Sequence, residues 1–181
     1  MLDKNLLLVD IGGTNIRYAY SNIGDSDFVS ENKAELDSLN DFYNLMSELL
    51  AEADVKNIVF SVAGPKVNNS IKMTNRNFEI DADEIRKKFN LESCYLLNDW
   101  ESIGYSIRTF SENDFDTFKE GEPFNDTFLV IGPGTGLGAS VISGNNVIAT
   151  EIGNTNLGLS ALKSLLKINS DEFNVLEDVI S

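Results

Sequence analysis

The chain has 181 residues, 42% hydrophobic and 24% charged, which suits a globular protein with one large or two small domains. A net charge of −15 argues against a nucleic-acid or anionic-membrane partner. One cysteine, Cys94, excludes an internal disulfide, and the lack of histidine excludes a zinc site of the usual Cys/His kind.

In chain order, residues 5–10, 15–21 and 28–33 read as three strands joined by the turn formers "GGT" and "NIGDSD", an antiparallel meander. Residues 38–53 carry apolar side chains at helical spacing, Leu39, Phe42, Leu45, Met46, Leu49 and Leu50. "NIVFSVAGP" then returns as a strand, and strand, helix, strand in that order favours a parallel crossover. A short strand near 70–73, a helix over 81–89 and the strand "CYLLND" follow, with Cys94 as a small core residue. The basic run "RKK" at 86–88 reads as a helix surface.

Residues 100–109 look helical, and the acidic stretch "SENDFDTFKEGEPFND" marks a boundary. The expected organisation is a domain over 1–110, a boundary over 111–125, and a second domain over 126–181. "TFLVIGPGTGLGASVISGNNVIATEIG" reads as three more strands, repeating the first meander in outline, so two related halves are expected. A helix over 157–166 and the helical start "NVLEDVIS" complete the chain. With no apolar run of spanning length and no leader pattern, a cytoplasmic location is the expectation.

The candidate chemistry lies in the turns. In "VDIGGTN", glycines let a backbone approach an anion and Thr14 adds a hydroxyl donor, which fits a polyphosphate. Asp10 at the strand end is placed to hold Mg²⁺ through water. A tight turn with an Asp cap explains Gly12 and Gly13 equally well. "GPGTGLG" lacks the P-loop spacing. Gly134, Gly136 and Ala139 match a dinucleotide fingerprint, but a β-branched strand follows where that fingerprint needs a helix. Two strand–Gly-Thr–strand hairpins remain, as two jaws for a nucleotide's phosphates. "LLNDWES" ends an apolar strand on Asn98 and Asp99, where ligands bind in open α/β sheets, although this motif by itself favours Asp99 as the N-cap of the helix starting at Trp100.

Taken together and in order, "VDIGGTNIRYA", "VAGP", "MTNRNF", "LLNDWES", "GPGTGLG" and "TEIGNTN" resemble the bacterial glucokinases of the hexokinase/actin-like ATPase superfamily. The resemblance implies an α/β fold of ribonuclease H-like, actin-like ATPase domains, with a mixed sheet, an N-terminal antiparallel meander and an incomplete second domain. It also implies ATP-dependent phosphorylation of a hexose, with glucose expected. Asp10, Gly12, Gly13, Thr14 and Asn15 would form the first phosphate loop, and Gly134, Thr135 and Gly136 the second. Asp99 would be the catalytic base, and Asn75, Asn98, Glu151, Asn154 and Glu177 would hold the sugar beside it. ATP and Mg²⁺ are the implied cofactors.

Two departures stand out. The family's usual Glu-Gly-Gly-His reads "EIGN" here, so Ile152 replaces a glycine and Asn154 stands at the histidine position, which leaves the choice of hexose open. The resemblance also covers somewhat over half of such an enzyme, so this chain is expected to have little activity alone. A homodimer is compatible with the family. By analogy, a non-catalytic sugar-binding regulator of the same fold is the alternative.

Overall fold

The computed structural model describes residues 2–12, 15–73, 78–133, 136–156, 158–167, 173–176 and 178. It divides into two compact units, Met1–Asp99 and Trp100–Ser181.

In the first unit, β1 (Leu6–Ile11) buries Leu7, Val9 and Ile11 fully and the alternate residues partly, the mark of a strand covered on both faces. β2 (Asn15–Ser21) returns antiparallel, with Ile11 opposite Ile16, and β3 (Val29–Glu35) continues the meander. α1 (Leu39–Glu52) starts where the Ser38 hydroxyl accepts a hydrogen bond from the Asp41 N–H at 3.2 Å. Its apolar face buries Phe42, Met46 and Leu49, with the Phe42 ring 5.9 Å from that of Phe60. The Tyr20 hydroxyl, reaching Leu49 O at 3.0 Å and Glu52 Oε2 at 3.1 Å, ties β2 to the end of this helix.

β4 (Asn57–Val62) runs parallel to β1, as the strand–helix–strand order leads one to expect. β5 (Lys66–Val67), β6 (Ser70–Lys72) and β7 (Glu79–Asp81) form a small antiparallel sheet. α2 (Ala82–Lys88) is capped by Asp81, whose Oδ1 accepts from the Glu84 N–H at 2.8 Å, and its last turn carries the basic run 86–88. β8 (Ser93–Asn98) lies parallel to β4 and closes a mixed sheet of order β3-β2-β1-β4-β8. Cys94 is buried in it, as expected of a small core residue, and desolvation pushes its thiol up to about 12, helped by the Asp83 carboxylate.

The second unit opens at Trp100, the second residue of α3 (Asp99–Ser106), which is followed by a 3₁₀ turn over Ile107–Thr109. β9 (Thr127–Pro133), β10 (Leu137–Ser143) and β11 (Asn146–Thr150) form an antiparallel sheet of order β11-β10-β9, with Gly144 at φ +54° in the tight turn after β10. The meander of the first sheet is thus repeated. Among the described residues β9 is an edge strand, and its exposed Phe128, Leu129 and Ile131 line an apolar groove of about 540 Å³ with Ile107 and Phe115.

Residues 111–125 fall inside this unit, so the division comes earlier than the acidic stretch indicates. The cause is α3, whose Trp100 lies on Gly132 and Gly138 and whose Gly104 meets Ser140 and Val147. α4 (Leu159–Leu166) begins after Gly158, which takes φ +77°, two residues later than the periodicity implies.

Candidate active site

In the first unit three parallel strands end level. Ile11 pairs with Val62, and Val62 with Asn98, so the turns after β1, β4 and β8 emerge side by side. With neighbouring strands about 4.8 Å apart, the outer two lie roughly 10 Å from each other, the span of a small ligand. This is the end of an open α/β sheet where ligands are bound. Backbone and side chain lace the turns together. The Ala63 N–H donates to Ile11 O at 3.3 Å, and Asn98 Nδ2 donates to Gly64 O at 2.9 Å. Gly64 takes φ +143°, which a side chain would resist, so the carbonyl that Asn98 holds depends on glycine. Asn98 itself is buried, and Asp99 next to it is half-buried as the first residue of α3 rather than a cap outside the helix.

Asp10 is half exposed on β1, directly across the pair from Arg17, whose Nη1 lies 3.6 Å from Asp10 Oδ2. So exposed a pair contributes little stability, about 0–1 kcal/mol. It leaves a carboxylate at a strand end, and Mg²⁺ takes one or two carboxylates together with phosphate oxygens and water. Asp10 therefore fits a water-mediated magnesium. Among the described residues no three Cys, Asp or Glu side chains gather as an all-protein metal cage. The Gly12 N–H closes the hairpin on Asn15 O at 2.9 Å. A Cβ on Gly12 would meet only that oxygen, at 3.6 Å, and its φ lies outside the left-handed region. The turn does not require glycine at this position, and a ligand approaching the backbone would.

In the second unit Glu151 and Asn154 come together across one turn. Asn154 Nδ2 donates to Glu151 Oε2 at 3.2 Å, and the Asn154 N–H to Glu151 O at 3.0 Å. Both side chains are exposed. The Leu176 N–H donates to Thr155 O at 2.8 Å, which brings the 173–176 segment to the same turn. Beside it, Asp178 Oδ2 accepts from the Asn174 and Val175 N–H groups, and these bonds hold its carboxyl below the usual range. Gly136 is half-buried at the mouth of the β9–β10 hairpin.

Gly13, Thr14, Asn75, Gly134, Thr135 and Glu177 lie outside the described residues. Two features escaped the sequence reading. Gly64 is the partner of Asn98, signalled only by "AGP" after a strand. Gly132 and Gly138, which look like further members of the glycine-rich loop, sit directly opposite each other and carry the Trp100 indole. No helix among the described residues is long and apolar enough to cross a membrane.

A family model described as Glucokinase matches residues 7–171. The chain is 31% identical over 150 residues to the glucokinase of Nostoc punctiforme, an alignment that takes in 78% of this chain and 44% of that protein. The crystal structure of a glucokinase from an Antarctic psychrotroph matches with TM-score 0.74 at 25% identity, covering 100% of this chain and 61% of that one. A Balamuthia mandrillaris glucokinase solved in complex with glucose shares the fold, with TM-score 0.65 at 21% identity over 98% of this chain and 59% of that one. The alignments with the curated relatives take in less than half of those proteins' length, so the chain spans only part of them.

Proposed function

The chain belongs to the glucokinase family, and from that premise we propose that the protein transfers the γ-phosphoryl group of ATP to the primary hydroxyl of a hexose, with glucose the first candidate. The observation that carries the reading is the level ending of β1, β4 and β8, which delivers Asp10, the Gly64 turn and the Asn98–Asp99 pair to one end of a sheet.

The chemistry asks for positioning and charge neutralisation rather than covalent catalysis. The sugar oxygen attacks the γ-phosphorus in line while the bond to the β,γ-bridging oxygen breaks, and ADP leaves with that oxygen. Asp99 accepts the proton that the hydroxyl loses. Gly12, Gly13, Thr14 and Asn15 offer N–H groups and a hydroxyl to one part of the phosphate chain, and Gly134, Thr135 and Gly136 to another. Asp10 would hold Mg²⁺ through water, and the ion would supply neutralisation of the phosphate charge. Asn75, Asn98, Glu151, Asn154 and Glu177 orient the sugar. Asn154 donates to Glu151, so the carboxylate is fixed before the ligand arrives. Polar groups that hydrogen-bond a sugar hydroxyl are left unpaired by a sugar that lacks it, and so select against that sugar.

Because the chain spans only part of its relatives' length, we assign hexose binding to these 181 residues and turnover to the family-length protein. Calorimetry with glucose and other hexoses tests the first assignment. For the second, a family-length protein carrying Asp99→Asn should keep its sugar affinity and lose about 10²–10⁴-fold in kcat. Near-normal turnover of that variant would remove Asp99 from the base role. Glucose binding without any phosphorylation at family length would turn the reading into that of a sugar-binding protein.

A further inference from the structure

We infer that Trp100 is the positioning residue for Asp99, and that Gly132 and Gly138 are bare so that the indole can do this. The inference rests on the sugar-site reading above.

Gly132 and Gly138 are directly paired across β9 and β10, one pair below the Pro133–Leu137 pair that closes the second glycine-rich hairpin. A Cβ built on Gly138 falls inside the indole at Nε1 and Cε2, and one on Gly132 meets Cη2, with Cζ2 at 3.0 Å and Cζ3 at 3.3 Å. The ring therefore rests on backbone from both strands, and any side chain at either position evicts it. Glycine is among the poorest strand formers, and two of them opposed leave a gap in the sheet face. An aromatic ring laid over such a gap restores the missing contact. Facing Cα atoms in an antiparallel pair are about 4.5–5.5 Å apart, a span that the indole's long axis covers.

The consequence falls on the preceding residue. Asp99 and Trp100 are the first two residues of α3, so seating the indole sets where the helix begins and in which direction the Asp99 Cβ leaves it. Farther along α3, Gly104 approaches β10 and β11 closely enough that its missing side chain is also occupied, by Val147 and Ser140. The helix is thus held on its sheet at two points, and the one nearer the candidate base is Trp100.

The test is a double-mutant cycle on glucose affinity, read by calorimetry on the 181-residue chain, with circular dichroism and urea midpoints to monitor folding. Trp100→Ala should weaken glucose binding by about fivefold or more, and Trp100→Phe should restore it to within about twofold. In an Asp99→Ala background, Trp100→Ala should cost no more than about twofold further, because its effect runs through the missing carboxylate. Gly138→Ala perturbs the same seat from the sheet side and should reproduce Trp100→Ala while leaving the ring present. Equal losses with and without Asp99 would reduce Trp100 to a general packing residue and overturn the inference, as would unchanged affinity in Trp100→Ala or in Gly138→Ala. If the unmodified chain binds no hexose, the sugar-site reading fails and this inference falls with it, a result distinct from the other outcomes.

Discussion

Replacing Gly104 by alanine puts a methyl group between α3 and two strands of the second sheet. The new Cβ would lie 2.5 Å from Val147 Cγ1 and 2.7 Å from Ser140 Oγ. Valine is stiff about χ1 and cannot swing aside cheaply. Overpacking of this kind costs about 1–3 kcal/mol, while alanine gains about 1 kcal/mol over glycine inside a helix. The net expectation is a loss of about 0–2 kcal/mol. The Ser140 hydroxyl is fully buried with no hydrogen-bond partner among the described residues. Ser140→Ala removes a desolvated group whose unmet bond costs about 1–3 kcal/mol, against a few lost dispersion contacts of about 0.1–0.2 kcal/mol each. That variant should therefore be more stable by about 1–2 kcal/mol. The double variant relieves one of the two clashes, so Gly104→Ala should cost less in the Ser140→Ala background, with about 0.5–1 kcal/mol of favourable coupling. Urea unfolding followed by circular dichroism at constant m reads all three values. A Ser140→Ala chain less stable than its parent would mean that the hydroxyl is bonded, and strict additivity would mean that α3 does not approach β10 as described.

Gly12→Ala should leave the thermal midpoint within the equivalent of about 0.5 kcal/mol, since its Cβ has room, yet weaken Mg·ATP binding measured by calorimetry; unaltered nucleotide affinity would return Gly12 to a plain turn residue. Asn154→His restores the side chain usual in the resembling family at that position and should tighten glucose binding by about two- to twelvefold, the equivalent of one hydrogen bond of about 0.5–1.5 kcal/mol. Weaker binding would count against any sugar contact from this turn. Cys94 should resist iodoacetamide near neutral pH in the folded chain and react once urea unfolds it. Its folded pKa is raised, so its contribution to stability is present below the ordinary thiol value of 9.0 and is lost as pH climbs toward about 12; a stability curve flat across that window would contradict the burial.

Much of the first unit was legible because each segment carried its own signal. The helical spacing of Leu39, Phe42, Leu45, Met46, Leu49 and Leu50 marks α1, and the alternating burial of Leu7, Val9 and Ile11 follows from an apolar run between turn formers. The turn at Gly144 and the strands around it were legible for the same reason. The seat of Trp100 was not. A glycine that opens a backbone to phosphate and one that makes room for an indole look alike in a sequence, and only the pairing of Gly132 with Gly138 separates them. The division of the chain was misplaced for a related reason. Acidic residues at 111–125 signal solvent exposure, whereas the second unit starts where Trp100 and Gly104 find the sheet. The Asn98–Gly64 bond joins residues far apart in the chain, beyond the reach of local pattern.

The pairing distances along the chain set an order of events during folding. β1, β2 and β3 are neighbours in sequence as well as in space, so the hairpin bearing Asp10 and Gly12 can form from the first few dozen residues. β1 must then wait for Asn57 to find its parallel partner, and β4 for Ser93. Pairings that close long loops are slow compared with hairpins. The strand that carries Asn98 and leads into Asp99 is thus the last of this sheet to be synthesised and among the slowest to join it, and the nascent protein forms the hairpin of Asp10 and Gly12 well before it places Asp99. Pulsed hydrogen exchange should find the amides of β2 protected ahead of those of β8, and the reverse order would contradict this sequence of assembly.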